Sequence, residues 1–157
     1  MVGESDVDIG SATPGDMAEL VGVLGDAEMF ADQLRRQAEG LGQLLVAWVG
    51  GLAVGVVYLR WEPADEPEIR RHLHAVPLLR HLEVHPEWRK RGVGSRLLRE
   101  AEARLAGRGF RRVALGVAPD NFPAISLYRK QGYEKWPQPD VKTAIDEFSV
   151  MVKDLRR

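Results

Sequence analysis

The stretch from His85 to Leu98, HPEWRKRGVGSRLL, puts three consecutive bases, Arg89, Lys90 and Arg91, directly before Gly92-Val93-Gly94. Like charges repel and glycine weakens a helix, so the arrangement implies a negative partner. Where a helix begins, its first N–H groups lack intrahelical acceptors and converge on one point. The helix dipole adds about half a positive charge there. Gly92 and Gly94 carry no Cβ, so a phosphate oxygen can approach the backbone, and arginines at the rim can clamp it. The chemistry this favours is recognition of a diphosphate. Two other phosphate-binding designs fail on spacing. No Gly-x-x-x-x-Gly-Lys-Ser/Thr string exists in the chain. A Gly-x-Gly-x-x-Gly turn would need glycine where Leu97 stands. Taken alone, the stretch also reads as a solvated loop with turn glycines.

The elements around it are legible. Residues 7–24 read as a short strand, a turn and a helix beginning near Pro14. A second helix runs from about Glu28 to Glu39 and stops before Gly40. Two apolar, β-branched runs split by Gly50-Gly51 read as a hairpin. The segment EPADEPEIRRHLHA, with two prolines and mixed charge, reads as a loop with at most one helical turn. VPLLRHLEVHP is a strand, with Leu82 and Val84 on one face and His81, Glu83 and His85 on the other. A helix follows from about Gly94 to Ala106, its apolar stripe being Leu97, Leu98, Ala101 and Leu105. RRVALGV is a strand. DNFPAISLYRKQG is a helix capped by Asp120 or Asn121 and ended by Gly132. YEKW and DEFSVMVKDL are the last two strands. The order β-α-α-β-β-β-α-β-α-β-β implies an α/β fold with a mixed, mostly antiparallel sheet flanked by helices on both faces. No repeat or linker interrupts residues 1–157, which reads as one domain.

With the elements set out, the spacing becomes specific. Arg89-x-x-Gly92-x-Gly94, between LEVHPEW and a Leu-rich helix, resembles the acetyl-CoA motif of the GNAT superfamily of N-acetyltransferases, Arg/Gln-x-x-Gly-x-Gly/Ala. The stretch from Pro119 to Tyr133 resembles that family's second block, N-x-x-A-x-x-L-Y-x-K-x-G-F/Y. Asn121, Ala124, Leu127, Tyr128, Lys130, Gly132 and Tyr133 match it. The resemblance implies a GNAT-like acyl-CoA fold in which the strand ending at Val84 and the strand 112–117 splay around the pantetheine arm of acetyl-CoA. Leu82, Glu83 and Val84 would line that arm, with backbone groups of Leu82 and Val84 pairing with it like an added strand. The N–H groups of Arg89, Lys90, Arg91, Gly92, Val93, Gly94 and Ser95 would hold the pyrophosphate. Asn121 would touch the arm, and the Tyr128 hydroxyl would lie near the thioester sulfur.

Acetyl transfer to an amine needs a neutral amine, a stabilised oxyanion and a protonated leaving thiol. A backbone N–H near Leu82–Val84 suits the oxyanion, and the Tyr128 phenol suits the thiol as general acid. The base has no obvious holder. Family members carry it where this chain has Leu78, Arg80 or Gly116. His81, Glu83 and His85 face away unless a bulge re-aims them, and His72 or His74 could act through water. The empty positions leave open a non-catalytic, acyl-CoA-binding regulatory domain. Glu62, Asp65, Glu66 and Glu68 would favour a cationic acceptor if their loop borders the cleft, or else form a solvated loop balanced by Arg70 and Arg71.

Composition bounds the rest. The chain has 157 residues, net charge -1 and 45% hydrophobic residues, enough for one sizeable core. The near-zero charge argues against a nucleic-acid partner. There is no cysteine, which removes disulfides and Cys-based zinc sites and fits the cytoplasm. No metal is expected. No apolar run approaches the ~18 residues of a membrane span, and the acidic start lacks a signal-peptide core. The expected partners are acetyl-CoA and an amine acceptor, with the chain a monomer or homodimer.

Overall fold

A computed structural model describes residues 6–73, 75–142 and 147–155. His74 lies outside these residues. The elements in chain order are β1 (Asp8–Ser11), a 3-10 turn (Pro14–Asp16), α1 (Met17–Leu24), α2 (Ala27–Ala38), β2 (Gly42–Val49), β3 (Leu52–Arg60), α3 (Pro67–Leu73) and β4 (Leu78–Val84). A 3-10 turn (Pro86–Trp88) then leads to α4 (Val93–Gly107), β5 (Arg112–Val117), α5 (Phe122–Lys130), β6 (Glu134–Lys135), β7 (Val141–Lys142) and β8 (Glu147–Asp154). The sheet runs β1-β2-β3-β4-β5-β8-β6, with β7 pairing β8. Every described pair is antiparallel except β4–β5. The mixed, mostly antiparallel sheet with helices on both faces is therefore present.

Two elements depart from the sequence reading. The segment read as a loop holds α3, whose Pro67 starts a helix that needs no N–H there. Its Ile69 and Leu73, four apart, pack on Leu78, Ala114 and Val150. Two apolar residues among prolines and charges are too few to reveal a helical stripe. β7 is only two residues long and carries no periodicity of its own.

The sheet separates two cores. Phe30 and Leu20 of α1–α2 pack on Leu44, Val46, Val56 and Tyr58. On the other face, Val93, Leu97, Leu98, Ala101 and Leu105 of α4 pack on alternate residues of β3 and β5, among them Val57, Leu59, Val113 and Leu115. Each fully buried leucine there contributes about 2 kcal/mol. Among the described residues no helix is long and apolar enough to cross a membrane.

One buried polar network locks α4 to the end of the chain. Glu102, 8% exposed, accepts from Tyr133 Oη at 2.9 Å and from Lys153 Nζ at 2.7 Å. Burial, then the Glu102 carboxylate, holds the Tyr133 phenol well above its ordinary pKa, so it stays a donor. Glu102→Leu would strand a buried hydroxyl and leave an ammonium to find solvent. We expect a loss of about 2–3 kcal/mol, read as a lower urea midpoint and a melting temperature lower by about 6 °C. A Glu102→Leu protein as stable as the wild type would refute the network's role.

Candidate active site

The site begins where β4 and β5 part. Their parallel pairing is confined to Leu78–Ala114 and Leu79–Leu115. Beyond those positions the strands separate. A cleft of about 520 Å³ opens on the α3 side. A second, of about 210 Å³, opens on the α4–α5 side and is lined by Leu82, Asn121, Ala124 and Tyr128. Both clefts are bordered by Leu79, His81, Leu115, Gly116, Val117 and Ala118, so the parted strand ends face one on each side. An extended chain can thread this gap and pair with the strand edges that β4 and β5 leave open.

At the far end of β4 the chain enters the basic loop. Gly92 is the N-cap of α4 with φ 82°, and no side chain caps the helix. The N–H groups of Val93, Gly94 and Ser95 therefore have no intrahelical acceptor. Lys90 also takes a left-handed conformation, φ 62°. Arg89, Lys90, Arg91 and Gly92 are exposed. Arg89 Nε donates to the Val84 carbonyl at 3.2 Å, which ties the loop to the strand end. The Arg91 guanidinium stacks on the Trp88 ring at 4.8 Å. Ser95 Oγ accepts from Gln131 Nε2 at 3.2 Å and holds the start of α4 against the end of α5.

Asn121 caps α5 through its side-chain oxygen, which accepts from Ala124 N at 3.3 Å. That leaves its amide N–H groups for a ligand in the cleft. Tyr128, 8% exposed, lies edge-on to Tyr133 at 6.0 Å between ring centroids. Burial raises its pKa, so it is a proton carrier at neutral pH.

The sequence left the base unassigned, and the structure brings one histidine to the gap. Along β4, Arg80 faces Tyr58 while Glu83 faces Val56, so His81 and Leu82 together oppose one residue of β3. This bulge puts His81 at φ 57°. It breaks the alternation that would turn His81 away from the gap. His81 borders both clefts at the split and a third on the α2 side. His81 is exposed to solvent through those openings, and the protein atoms packed beside the ring, then the Arg80 charge, shift its pKa down from the ordinary value. Its imidazole is consequently neutral at pH 7.

The other candidates fall away from the gap. His85 caps the Pro86–Trp88 turn, accepting from Glu87 N at 3.2 Å. Glu83 is exposed and borders none of the clefts just described. His72 stands edge-on to Trp136 at 5.6 Å and likewise borders none of them. The place of a second-strand carboxylate is filled: a Cβ on Gly116 would lie 2.8 Å from the Phe148 ring. Three of the four acids of the loop, all but the exposed Glu68, are already engaged. Arg36 pairs with Glu62, Arg60 with Asp65 at 3.0 Å, and Arg80 with Glu66 at 3.0 Å.

Comparison with known proteins bears on this arrangement. Residues 16–133 match the model of the acetyltransferase (GNAT) family. An acetyltransferase of the GNAT family from Streptococcus pneumoniae is 24% identical, with 94% of this chain and 98% of that one aligned at a TM-score of 0.71. The PaiA N-acetyltransferase of Thermoplasma acidophilum, solved with coenzyme A, is 20% identical over 94% and 98% of the chains, TM-score 0.71. The ribosomal-protein-alanine N-acetyltransferase of Brucella melitensis is 23% identical over 94% and 99%, TM-score 0.73. The family match spans most of the chain, including the split strands, the basic turn and the Tyr128 helix, and the protein accordingly belongs to the GNAT family of acetyltransferases.

Proposed function

We propose that this protein transfers the acetyl group of acetyl-CoA to a primary amine of a small molecule or a peptide by direct attack. The observation that carries the reading is the parting of β4 and β5, whose residues border a cleft on each side. The coenzyme A held by the Thermoplasma relative supports the same ligand here. The pyrophosphate would sit on the N–H groups of residues 89–95, with Arg89, Lys90 and Arg91 at its rim. The arm would run past Leu82, Glu83, Val84 and Asn121 to bring the thioester beside Tyr128. The acceptor would enter from the opposite cleft.

The amine nitrogen bonds to the thioester carbonyl carbon, and the carbon–sulfur bond breaks. His81 takes the proton the amine must shed. A backbone N–H of the β4 edge steadies the oxyanion. Tyr128 gives its proton to the departing sulfur. Calorimetry with acetyl-CoA, followed by thiol release with a panel of amines, tests the reading; a chain that binds no acetyl-CoA overturns it. Tyr128→Phe should lower kcat at least about tenfold while changing acetyl-CoA affinity less than about twofold, because an acid acts only as charge develops. Equal turnover in the two proteins removes the acid role.

A further inference from the structure

Gly116 is the first residue of β5 past its last pair with β4, Leu79–Leu115. It is exposed and borders the clefts on both sides of the parted strands. The space a side chain would take is filled. A Cβ on Gly116 would lie 2.8, 3.3 and 3.5 Å from three carbons of the Phe148 ring. The ring thus rests on bare backbone, an approach that only glycine permits. Strand β8 brings it there. Val150 pairs with Gly116, and Phe148, two residues along, points to the same face. Phe148 is half-buried and packs on the cluster that holds Ile69, Leu78 and Val150. It lines the larger cleft and not the smaller.

The ring is therefore a wall on the α3 side, directly past the parting. On the β4 side of the same cleft stand His81 and Arg80, with Arg80 held by Glu66 at 3.0 Å. Methylenes laid against that ion pair would strip water from charge and supply no partner. A short apolar group emerging between the strands is thus turned from β4 by charge and met on the β5 side by a ring.

We propose that Phe148, seated on Gly116, limits the transferred acyl group to acetyl and so leaves the α3-side cleft to the acceptor. The proposal rests on the acetyl-transfer reading, which sets how the thioester lies. Its carbonyl carbon holds three substituents spread evenly in one plane. The sulfur is on the Tyr128 side, and the oxygen faces an N–H of β4. The third substituent, the acyl chain, is then directed towards β5 and the α3 side, onto Gly116 and the Phe148 ring. An acetyl methyl lies against the glycine, where a Cβ would exclude it. Two further carbons run into the ring, and displacing a packed ring is penalised as overpacking is.

The test measures thiol release with acetyl-CoA and with butyryl-CoA, using the amine of the panel that turns over fastest. In the wild type kcat/KM should favour acetyl by at least about 30-fold. Phe148→Ala should raise butyryl transfer at least about fivefold and bring the ratio below about threefold. Phe148→Leu should fall between, and it keeps the proposal testable where alanine unfolds the protein. Lost packing alone would lower both acyl donors alike and leave their ratio unchanged. A wild-type ratio below about threefold, or one that neither variant moves, overturns the proposal. Calorimetry with the two thioesters and no acceptor reads the same preference without turnover. If no amine is acetylated, yet acetyl-CoA binds at least about fivefold tighter than butyryl-CoA and Phe148→Ala erases the difference, the stop stands and the transfer reading fails. If no amine is acetylated and the two thioesters bind equally, both fail.

Discussion

Gly92→Glu is expected to weaken acetyl-CoA binding on the order of 100-fold or more, at the strength of about 4 kcal/mol per unit-charge pair 4 Å apart near a protein surface, reduced by salt screening. The substitution acts twice. It sets a carboxylate at the N-cap of α4, where the unpaired N–H groups would receive the pyrophosphate. It also forces a side chain into a backbone position at φ 82°. The two effects are separable. Gly92→Ala carries only the left-handed strain, about 1 kcal/mol, and should lower the melting temperature by about 3 °C while keeping affinity within a few-fold. Calorimetry with acetyl-CoA on both variants decides. If Gly92→Glu binds within about threefold of the wild type, the diphosphate seat is elsewhere.

The proposed seat is legible in the sequence because every part of it is local. Three bases, two glycines and a Leu-rich stripe lie within one short stretch, and the structure turns them into an exposed basic loop before a packed helix. The Asn121 cap and the Tyr128 face of α5 are local in the same way: a capping residue, a proline in the first turn and an apolar stripe lie in nine residues and their cap. The sheet followed from alternation, and even the short β1 finds its partner in β2.

The α2 side of the sheet was not legible, because its parts meet only in three dimensions. Gln33, Tyr58 and Arg60 come from α2 and β3, and nothing in their spacing marks them as companions. The ion pairs of Glu62, Asp65 and Glu66 run to Arg36, Arg60 and Arg80, not to the nearby Arg70 and Arg71. Arg70 instead donates to the carbonyls of Ala64 and Asp65. His81, the base proposed above, was hidden for a different reason. Strict alternation along β4 turns His81 away, and one extra residue in the register undoes that parity. A histidine tolerates the left-handed backbone better than most residues, which is the only trace of the bulge the sequence offers.

His81→Asn should cut kcat by about 100-fold, the lower end of what a positioned base supplies. Asparagine is the informative replacement. It accepts φ near 57° at least as readily as histidine, so the bulge survives and only the imidazole is lost. Affinity for acetyl-CoA should stay within about twofold, since the proposed pyrophosphate seat lies past the C-terminal end of β4. The pH profile carries the sharper signature. A base works when unprotonated, so kcat should fall as the imidazole takes up a proton on acidification. Crowding, and then Arg80, lower the His81 pKa, while Asp26 and Glu83 oppose that shift. The midpoint of the acid limb should therefore lie below the ordinary histidine value of about 6.5, leaving the base competent at neutral pH. The limb is read in kcat, not kcat/KM, because the free acceptor amine titrates in the latter. In His81→Asn this limb should disappear from whatever activity remains. A variant with near-normal kcat and the same acid limb would show that the proton leaves by another route and that the bulge serves only to part the strands.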